Sequence, residues 1–282
     1  MPDVLLLTTE NLIFDEPDTP LLAAALAGRG VRSRTLPWTD PSVITTDVDL
    51  VIIRSTWDYP AQLRRFLATL HGLPGPVCNP PAVVRWNAHK SYLTQLAAVG
   101  VPVVPTMVVP AGSAVLPELD AAEIIVKPAV SAGAVGVGRF GSGSPAAARH
   151  LGTVTASGDA LVQPFVPEVV HGERSLIFLD GRFSHAVRKV PAGGDFRVQV
   201  EHGGTASPVA ATGADLALAR RALDAVPELL PGSRPLLYGR VDVVGPADAP
   251  LVMELELIEP QLFLDTAPGS ADLLADGVLT RL

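Results

Sequence analysis

Two carboxylates one residue apart interrupt an otherwise apolar stretch near the end of the chain. They are Glu254 and Glu256 in "LVMELELIEPQ", residues 251–261, with Glu259 following just before Pro260. On a strand, residues i and i+2 share a face, and a rise of roughly 3.3 Å per residue sets their Cα atoms about 6.5–7 Å apart. Like charges that close on a partly buried face repel and lose hydration. A third acid, Asp242, lies in the apolar run "GRVDVV" just upstream, joined to the first stretch through the short turn "GPADAP". Adjacent antiparallel strands, about 4.8 Å apart, bring Asp242 beside both glutamates. Three carboxylates converging on rigid strands suit a hard divalent cation, and Mg²⁺ takes one or two carboxylates together with phosphate oxygens. The same acids also fit the solvated face of a sheet edge, so their spacing alone leaves both readings open.

The lysines narrow the choice. Of 21 basic residues only Lys90, Lys127 and Lys189 are lysine. A chain that otherwise uses arginine keeps lysine where a compact ammonium is wanted and a planar fork does not substitute; chance retention explains three lysines equally well until their contexts are read. Lys90, in "RWNAHKSYL", is expected at the start of a helix. Lys127 closes the strand-like "EIIVKP" just before "SAGAVGVGRFGSGS" (131–144), a run of glycine and small residues that reads as a flexible loop. A strand-end lysine, a loop of exposed amides and metal-binding carboxylates are the parts needed to hold a nucleoside triphosphate. No GxxxxGK[ST] occurs, and "GAVGVG" (133–138) follows no βαβ start, so by itself it reads as a linker.

The elements that must position these residues follow from periodicity. Val4–Leu7 and Val48–Ile53 are buried-type strands; Thr19-Pro20 offers an N-cap and first-turn proline for a helix over Leu21–Ala27, and Ala61–Leu70 has helical spacing. This alternation predicts an α/β lobe with a mainly parallel sheet, ended by the turn-rich "GLPGPVCNPP" (72–81). A helix is expected over Ala88–Ala98, then strands in "VPVVPTMVVP" and "EIIVKPAV". Antiparallel strands are expected in "ALVQPFV", "RSLIFLD" and "RFSHAVRKV", the last two joined through a Gly181 turn. A helix over Ala214–Val226, strands in "LLYGRVDVV" and the opening stretch, and a helix over Ala271–Leu282 complete the chain.

Composition excludes several classes. With 282 residues, 48% hydrophobic and 18% charged, the chain is expected to fold as two or three lobes sharing a core. The start lacks the pattern of a signal peptide, and no apolar run approaches the ~20 residues of a membrane span. One cysteine, Cys78, excludes an internal disulfide framework and reads as a small buried hydrophobe. The six histidines show no zinc-like spacing. A net charge of −8 argues against nucleic acid and anionic membranes as partners. A cytoplasmic protein acting on small molecules is expected.

Taken in order, the lysine, the strand lysine, the small-residue loop, "VQPFV", "GERS", and then Asp and Glu-x-Glu resemble the ATP-grasp superfamily in its glutathione-synthetase-like branch. "CNPPAVVRWNAHK" resembles that family's N-x-P…N-x-K, "QPFVPEVVHGERSLIFLDG" its nucleotide-hinge strand pair, "RKVPAGGDFRVQVEHGG" its R-I-P-x-G-G-x-x-R-x-N…G-G, and "ELELIEP" its E-x-N-x-x-x-P. "RSTWDYP" (54–60) and "EPQLFLD" are similar to the smaller group that contains D-cycloserine synthetase and amino-acid ligases of antibiotic pathways. The resemblance implies an α/β ATP-grasp fold. Residues 1–85 would form an N-terminal substrate lobe, 86–163 a central lid lobe and 164–282 a C-terminal lobe for ATP and Mg²⁺.

Residue by residue, the resemblance implies that Lys90 and Lys127 contact the ATP phosphates and that Ser131 and Gly133 belong to the ATP-binding set. Gln163, Phe165 and Val166 would line the adenine site, and Glu173 would bind the ribose. Asp242, Glu254 and Glu256 would hold one or two Mg²⁺ ions, while Lys189 and Arg197 would stabilise the transferred phosphoryl group. Arg54, Ser55, Thr56 and Asp58 follow a predicted strand end, where α/β ligand sites lie; Arg54 could clamp a substrate carboxylate and Asp58 an ammonium, or the loop is structural. The chain departs from the pattern at Glu256, where asparagine is usual, at Ser175, where a basic residue is common, and in its lid loop, which lacks the usual consecutive glycines; there Arg139 would either reach the phosphates or be a solvated loop arginine. The implied activity is an ADP-forming carboxylate–amine ligase for amino-acid-like substrates, working through an acyl phosphate and placed in antibiotic-type metabolism. A cyclising synthetase of the D-cycloserine type and a catalytically silent nucleotide-binding module are the alternatives. A homodimer is implied by resemblance alone.

Overall fold

The computed structural model describes residues 1–12, 15–233 and 235–282. Three sheets are built in chain order. The first is parallel, with order β2-β1-β3-β4 from β1 (Asp3–Thr8), β2 (Arg32–Pro37), β3 (Leu50–Ser55) and β4 (Val77–Cys78). Its central strands are apolar without alternation because both faces are covered. Val4, Leu6, Leu50 and Ile52 pack on α1 (Asp18–Ala27) through Leu22 and Leu26. Leu5, Leu7, Val51 and Ile53 face the other way, onto Phe66 and Leu70 of α2 (Leu63–Gly72).

The helix expected over 88–98 is two helices, α3 (Pro81–Asn87) and α4 (Tyr92–Ala98), and Lys90 lies in the turn between them. Its backbone N–H donates to Ala129 O at 2.8 Å, which fixes the turn against the end of a strand in the second sheet. Of "VPVVPTMVVP" only β5 (Met107–Val109) is a strand; prolines 102, 105 and 110 each lack an N–H to give to a ladder.

The second sheet is antiparallel, with order β5-β8-β6-β7, adding β6 (Glu123–Pro128), β7 (Gly138–Gly141) and β8 (Ala160–Pro164). Ile124, Val126, Ala160 and Val162 pack under helix α5 (Pro145–Thr155). The alternate residues Ile125, Lys127 and Gln163 therefore face the opposite side. β7 lies inside the stretch expected to be a loop, where Arg139 pairs with Glu123 across to β6.

The third sheet is antiparallel in the order β11-β10-β9-β12-β13, from β9 (Glu173–Leu179), β10 (Arg182–Val190), β11 (Thr205–Pro208), β12 (Tyr238–Val244) and β13 (Leu251–Glu256). On one face Leu176, Phe178, Val241, Val243 and Leu255 pack with α4 and α6 (Gly213–Leu229). On the other, Ile177, Leu179 and Tyr238 share a core with the first sheet and α7 (Ser270–Leu279). Among the described residues no helix is long and apolar enough to cross a membrane.

Candidate active site

A cavity of about 380 Å³ collects residues from the second and third sheets and from the segments between elements. Its lining includes Lys90, Lys127, Ser131, Gly133, Gln163, Phe165, Val166, Glu173, Lys189, Arg197, Asp242, Glu254 and Glu256. Residues proposed from widely separated motifs are thus brought to one space.

The acids are set by register. Asp242 of β12 pairs directly with Glu254 of β13, and Arg240 with Glu256, with a register shift just beyond Asp242. β13 is an edge strand, held on its outer side by side chains. Asn87 Nδ2 donates to Leu255 O at 2.7 Å and its Oδ1 accepts from Leu257 N at 2.9 Å, while Leu255 N donates to Tyr92 Oη. Asn79 Nδ2 donates to Leu257 O and to Tyr238 O, both at 2.8 Å. The two asparagines of the "CNPPAVVRWNAHK" motif thereby fix the height of the strand that carries the acids.

Charges in the cavity are matched pair by pair. Lys127 Nζ lies 2.9 Å from Glu254 Oε1 and Lys90 Nζ 3.3 Å from Oε2. Burial would raise the Glu254 carboxyl, but the two ammonium charges outweigh it and hold it down at about 2. Asp242 Oδ1 accepts from Ser175 Oγ at 2.6 Å and Arg240 Nε at 2.9 Å; Oδ2 accepts from Lys189 Nζ at 2.8 Å and Arg240 Nη2 at 2.9 Å. Burial again pushes this carboxyl up, and Arg240 and Lys189 overcome it, leaving Asp242 well below the usual carboxylate range. Lys189 also pairs with Glu173 Oε1 at 3.0 Å, yet burial prevails there and raises Glu173 to about 7. Glu256 pairs with Arg240.

The convergence of three carboxylates on one metal position is not what this structure contains. Among the described residues no group of three or more His, Cys, Asp or Glu side chains is arranged to hold a metal ion. The reason is electrostatic: a buried carboxylate without a counter-charge is costly, and here lysine and arginine supply it. The donor set still fits Mg²⁺ carried on a polyphosphate, which needs only one or two protein carboxylates. The lysines now paired with Glu254 are the groups that phosphate oxygens would draw away.

Other expected positions differ in detail. Gln163 Nε2 donates to Thr106 Oγ1 at 2.8 Å. The Phe165 ring packs edge-on to Phe196 and carries the Arg139 guanidinium 3.6 Å from its centroid. Arg139 thus stacks on Phe165, a residue of the cavity wall, and pairs with Glu123 without lining the cavity itself. Gly133 holds φ +60 at the point where Glu201 Oε1 would lie 2.7 Å from an added Cβ, and its carbonyl meets His202 Nε2 at 3.3 Å. Arg197 lines the cavity with its guanidinium held by Asp195, 2.7 Å away, rather than by the acid cluster.

The expected clamp in "RSTWDYP" is corrected by the structure. Arg54 is 1% exposed, donates to Pro260 O at 3.1 Å, lies 3.5 Å from Asp18 and stacks over Tyr238. Ser55 bonds Thr8, Thr56 is fully buried, and Asp58 accepts from Trp38 Nε1 at 2.7 Å. None of the four lines the cavity; Trp57 and Tyr59 do. β3 is central in a sheet covered on both faces, so its polar end is enclosed with it. Sequence reasoning missed Arg240, 7% exposed and bonded to both Asp242 and Glu256. Its position two residues before Asp242 on an apolar strand was the available signal.

Comparison with known proteins finds two family matches along the chain. Residues 4–79 match the family "D-cycloserine synthetase DcsG, N-terminal domain", and residues 99–249 match "Prokaryotic glutathione synthetase, ATP-grasp domain". The chain is 34% identical to the cycloserine biosynthesis protein DcsG of Streptomyces lavendulae over 94% of each sequence. The crystal structure of D-cycloserine synthetase DcsG superposes with a TM-score of 0.90 at 32% identity, covering 99% of both chains. A D-alanine–D-alanine ligase from Bacillus anthracis shares the fold at a TM-score of 0.70 and 11% identity, over 100% of this chain and 97% of that one. The chain belongs to the ATP-grasp ligases, with an ATP-grasp domain of the prokaryotic glutathione-synthetase type behind an N-terminal domain of the D-cycloserine-synthetase type.

Proposed function

We propose that this ligase uses MgATP to activate the carboxylate of an amino-acid substrate as an acyl phosphate, which an amine then captures with release of phosphate. The observation that carries this reading is the position of Glu254, which receives both Lys90 and Lys127 in the cavity shared with the Asp242–Lys189–Arg240 cluster. Lys90 and Lys127, now paired with Glu254, would hold phosphate oxygens of the triphosphate, and Glu254 and Asp242, with Glu256 beside them, would hold Mg²⁺. Bound there, the ion would neutralise charge spreading over the transferred phosphoryl group. Lys189 and Arg240, and Arg197 once freed from Asp195, add fixed positive charge around that group. Gln163, Phe165 and Val166 would wall the base, and Glu173 would take the ribose hydroxyls. The 131–137 loop, with Ser131 and Gly133, would cover the phosphates and exclude water that hydrolyses an acyl phosphate.

Similarity to DcsG over nearly the full chain favours a second reading, in which carboxylate and nucleophile belong to one molecule and the product is a ring. Both readings place the substrate in antibiotic-type metabolism. The deciding experiment measures ADP and phosphate release from MgATP against L- and D-amino acids, singly and in pairs, with product masses recorded. A pair giving a mass equal to their sum less water supports ligation. Turnover of a single substrate with loss of water or a small fragment supports ring closure. Absence of ADP with every acid overturns both.

A further inference from the structure

Each acid on the strands beneath the cavity has a cationic partner: Glu173 and Asp242 receive Lys189, Glu254 receives two lysines, and Glu256 receives Arg240. Glu259, which lines the same cavity, has none: among the described residues no side chain hydrogen-bonds or ion-pairs with its carboxylate. Its backbone is fixed on both sides. Trp57 Nε1 donates to Glu259 O at 3.1 Å, Arg54 Nη2 to Pro260 O at 3.1 Å, and Arg240 Nη1 to Gln261 O at 3.0 Å. Trp57, Tyr59 and Phe263 line the cavity with it, and aromatic faces favour a cation.

We infer that Glu259 receives the ammonium group of an amino-acid substrate. The inference rests on the ligase reading above and names the substrate feature that this end of the site selects. The groups acting on Glu259 are Glu256, Lys90, Arg240 and its own backbone N–H, which hydrogen-bonds the carboxyl, with Tyr59 and Tyr238 also feeling its charge. Burial, followed by the repulsion of Glu256, raises its carboxyl to about 8. An arriving cation would stabilise the ionised form, as an unpaired acid in an enclosed site requires. The buried Arg54 anchor acts on this subsite through Pro260 and touches no substrate itself.

The ammonium has two chemical sources, the molecule whose carboxylate is activated and the molecule that supplies the amine. The test uses the full chain, wild type and Glu259→Gln, with MgATP and hydroxylamine, a neutral acceptor that traps an acyl phosphate as a hydroxamate. Alanine and serine of both hands are compared with propionate and 3-hydroxypropionate, and amine acceptors are then titrated in place of hydroxylamine. Losing one charged hydrogen bond is worth about 10- to 100-fold. If Glu259→Gln erases the preference for amino acids over their des-amino counterparts by that factor, the acyl donor's ammonium is held. If hydroxamate formation is kept while the KM for the amine acceptor rises by that factor, the acceptor's ammonium is held.

Unchanged preference and unchanged KM overturn the inference, and so does a Glu259→Gln effect confined to the Mg²⁺ requirement. Should the glutamine variant not fold, Glu259→Asp is read in its place: retained discrimination supports the inference and lost discrimination overturns it. A wild-type protein that forms neither ADP nor hydroxamate with any acid overturns the ligase reading itself, a result distinct from every other.

Discussion

The end of β3 and the end of β13 carry similar chemistry in sequence and opposite fates in the fold. "RSTWDYP" holds an arginine, three hydroxyls and an acid; "ELELIEP" holds three acids. β3 lies inside a parallel sheet covered by helices on both faces, and Arg54 is enclosed at 1% exposure. β13 is the edge of an antiparallel sheet, and Glu254 and Glu256 face the cavity. For these two strand ends, packing around the strand rather than residue type decides which side chains face the cavity.

That contrast can be broken by substitution. Arg54→Met should have the largest effect and should act on stability: removing one partner of a buried pair costs about 3–5 kcal/mol, read as a lower midpoint in a urea titration. A variant with unchanged stability and a raised KM for substrate would collapse the distinction. Glu254→Gln should act on rate, lowering kcat/KM for ADP release by roughly 10²–10³, the range for losing a fixed electrostatic group at a reacting centre. A Glu254→Gln enzyme with near-normal turnover would remove the proposed nucleotide site from this strand.

A subtler distinction concerns pH. In the folded protein Glu259 holds its proton up to about 8, whereas its ordinary value is 4.5. Between those values the folded state binds the proton that the unfolded chain has released, so this residue's contribution to stability falls as pH rises. Each pKa unit is worth at most about 1.4 kcal/mol. Glu259→Gln should therefore melt near the wild type at pH 5 and above it at pH 8.5, as differential scanning calorimetry would register; equal offsets at both pH values would contradict the burial of this acid. The smallest effect is expected at the Arg139–Glu123 pair, 35% and 43% exposed. Glu123→Gln should leave the urea midpoint almost unchanged, and a marked drop would mean that β7 is held chiefly by this contact.

Much of the site was legible because its parts recur as short motifs in order: Lys90, Lys127, Asp242 and Glu254 were all picked out by residue type and local context. Arg240 was not, although it stands two residues from Asp242 on the same strand face. The scarcity of lysine drew weight toward ammonium groups, in a chain where arginine reads as generic. In sequence, Arg54 is a candidate clamp or part of a structural loop because it follows a strand's C-terminal end; only the third dimension reveals Asp18 and Pro260 around it. Strand β7 was hidden by glycine content, since its pairing depends on β6 alongside rather than on its own propensity. The turn at Lys90 was missed for a similar reason: its anchor, Ala129, is distant in sequence.

The asparagines that brace β13 have a consequence beyond the site. An edge strand with free N–H and C=O groups is a template onto which another chain can add. Along this edge Val252 bonds Pro102 and Val104, Leu255 bonds Tyr92 and Asn87, and Leu257 bonds Asn87 and Asn79. Side-chain amides here do the work of a missing neighbour strand. The strand bearing the acids is thus closed to extension of its sheet by a further strand.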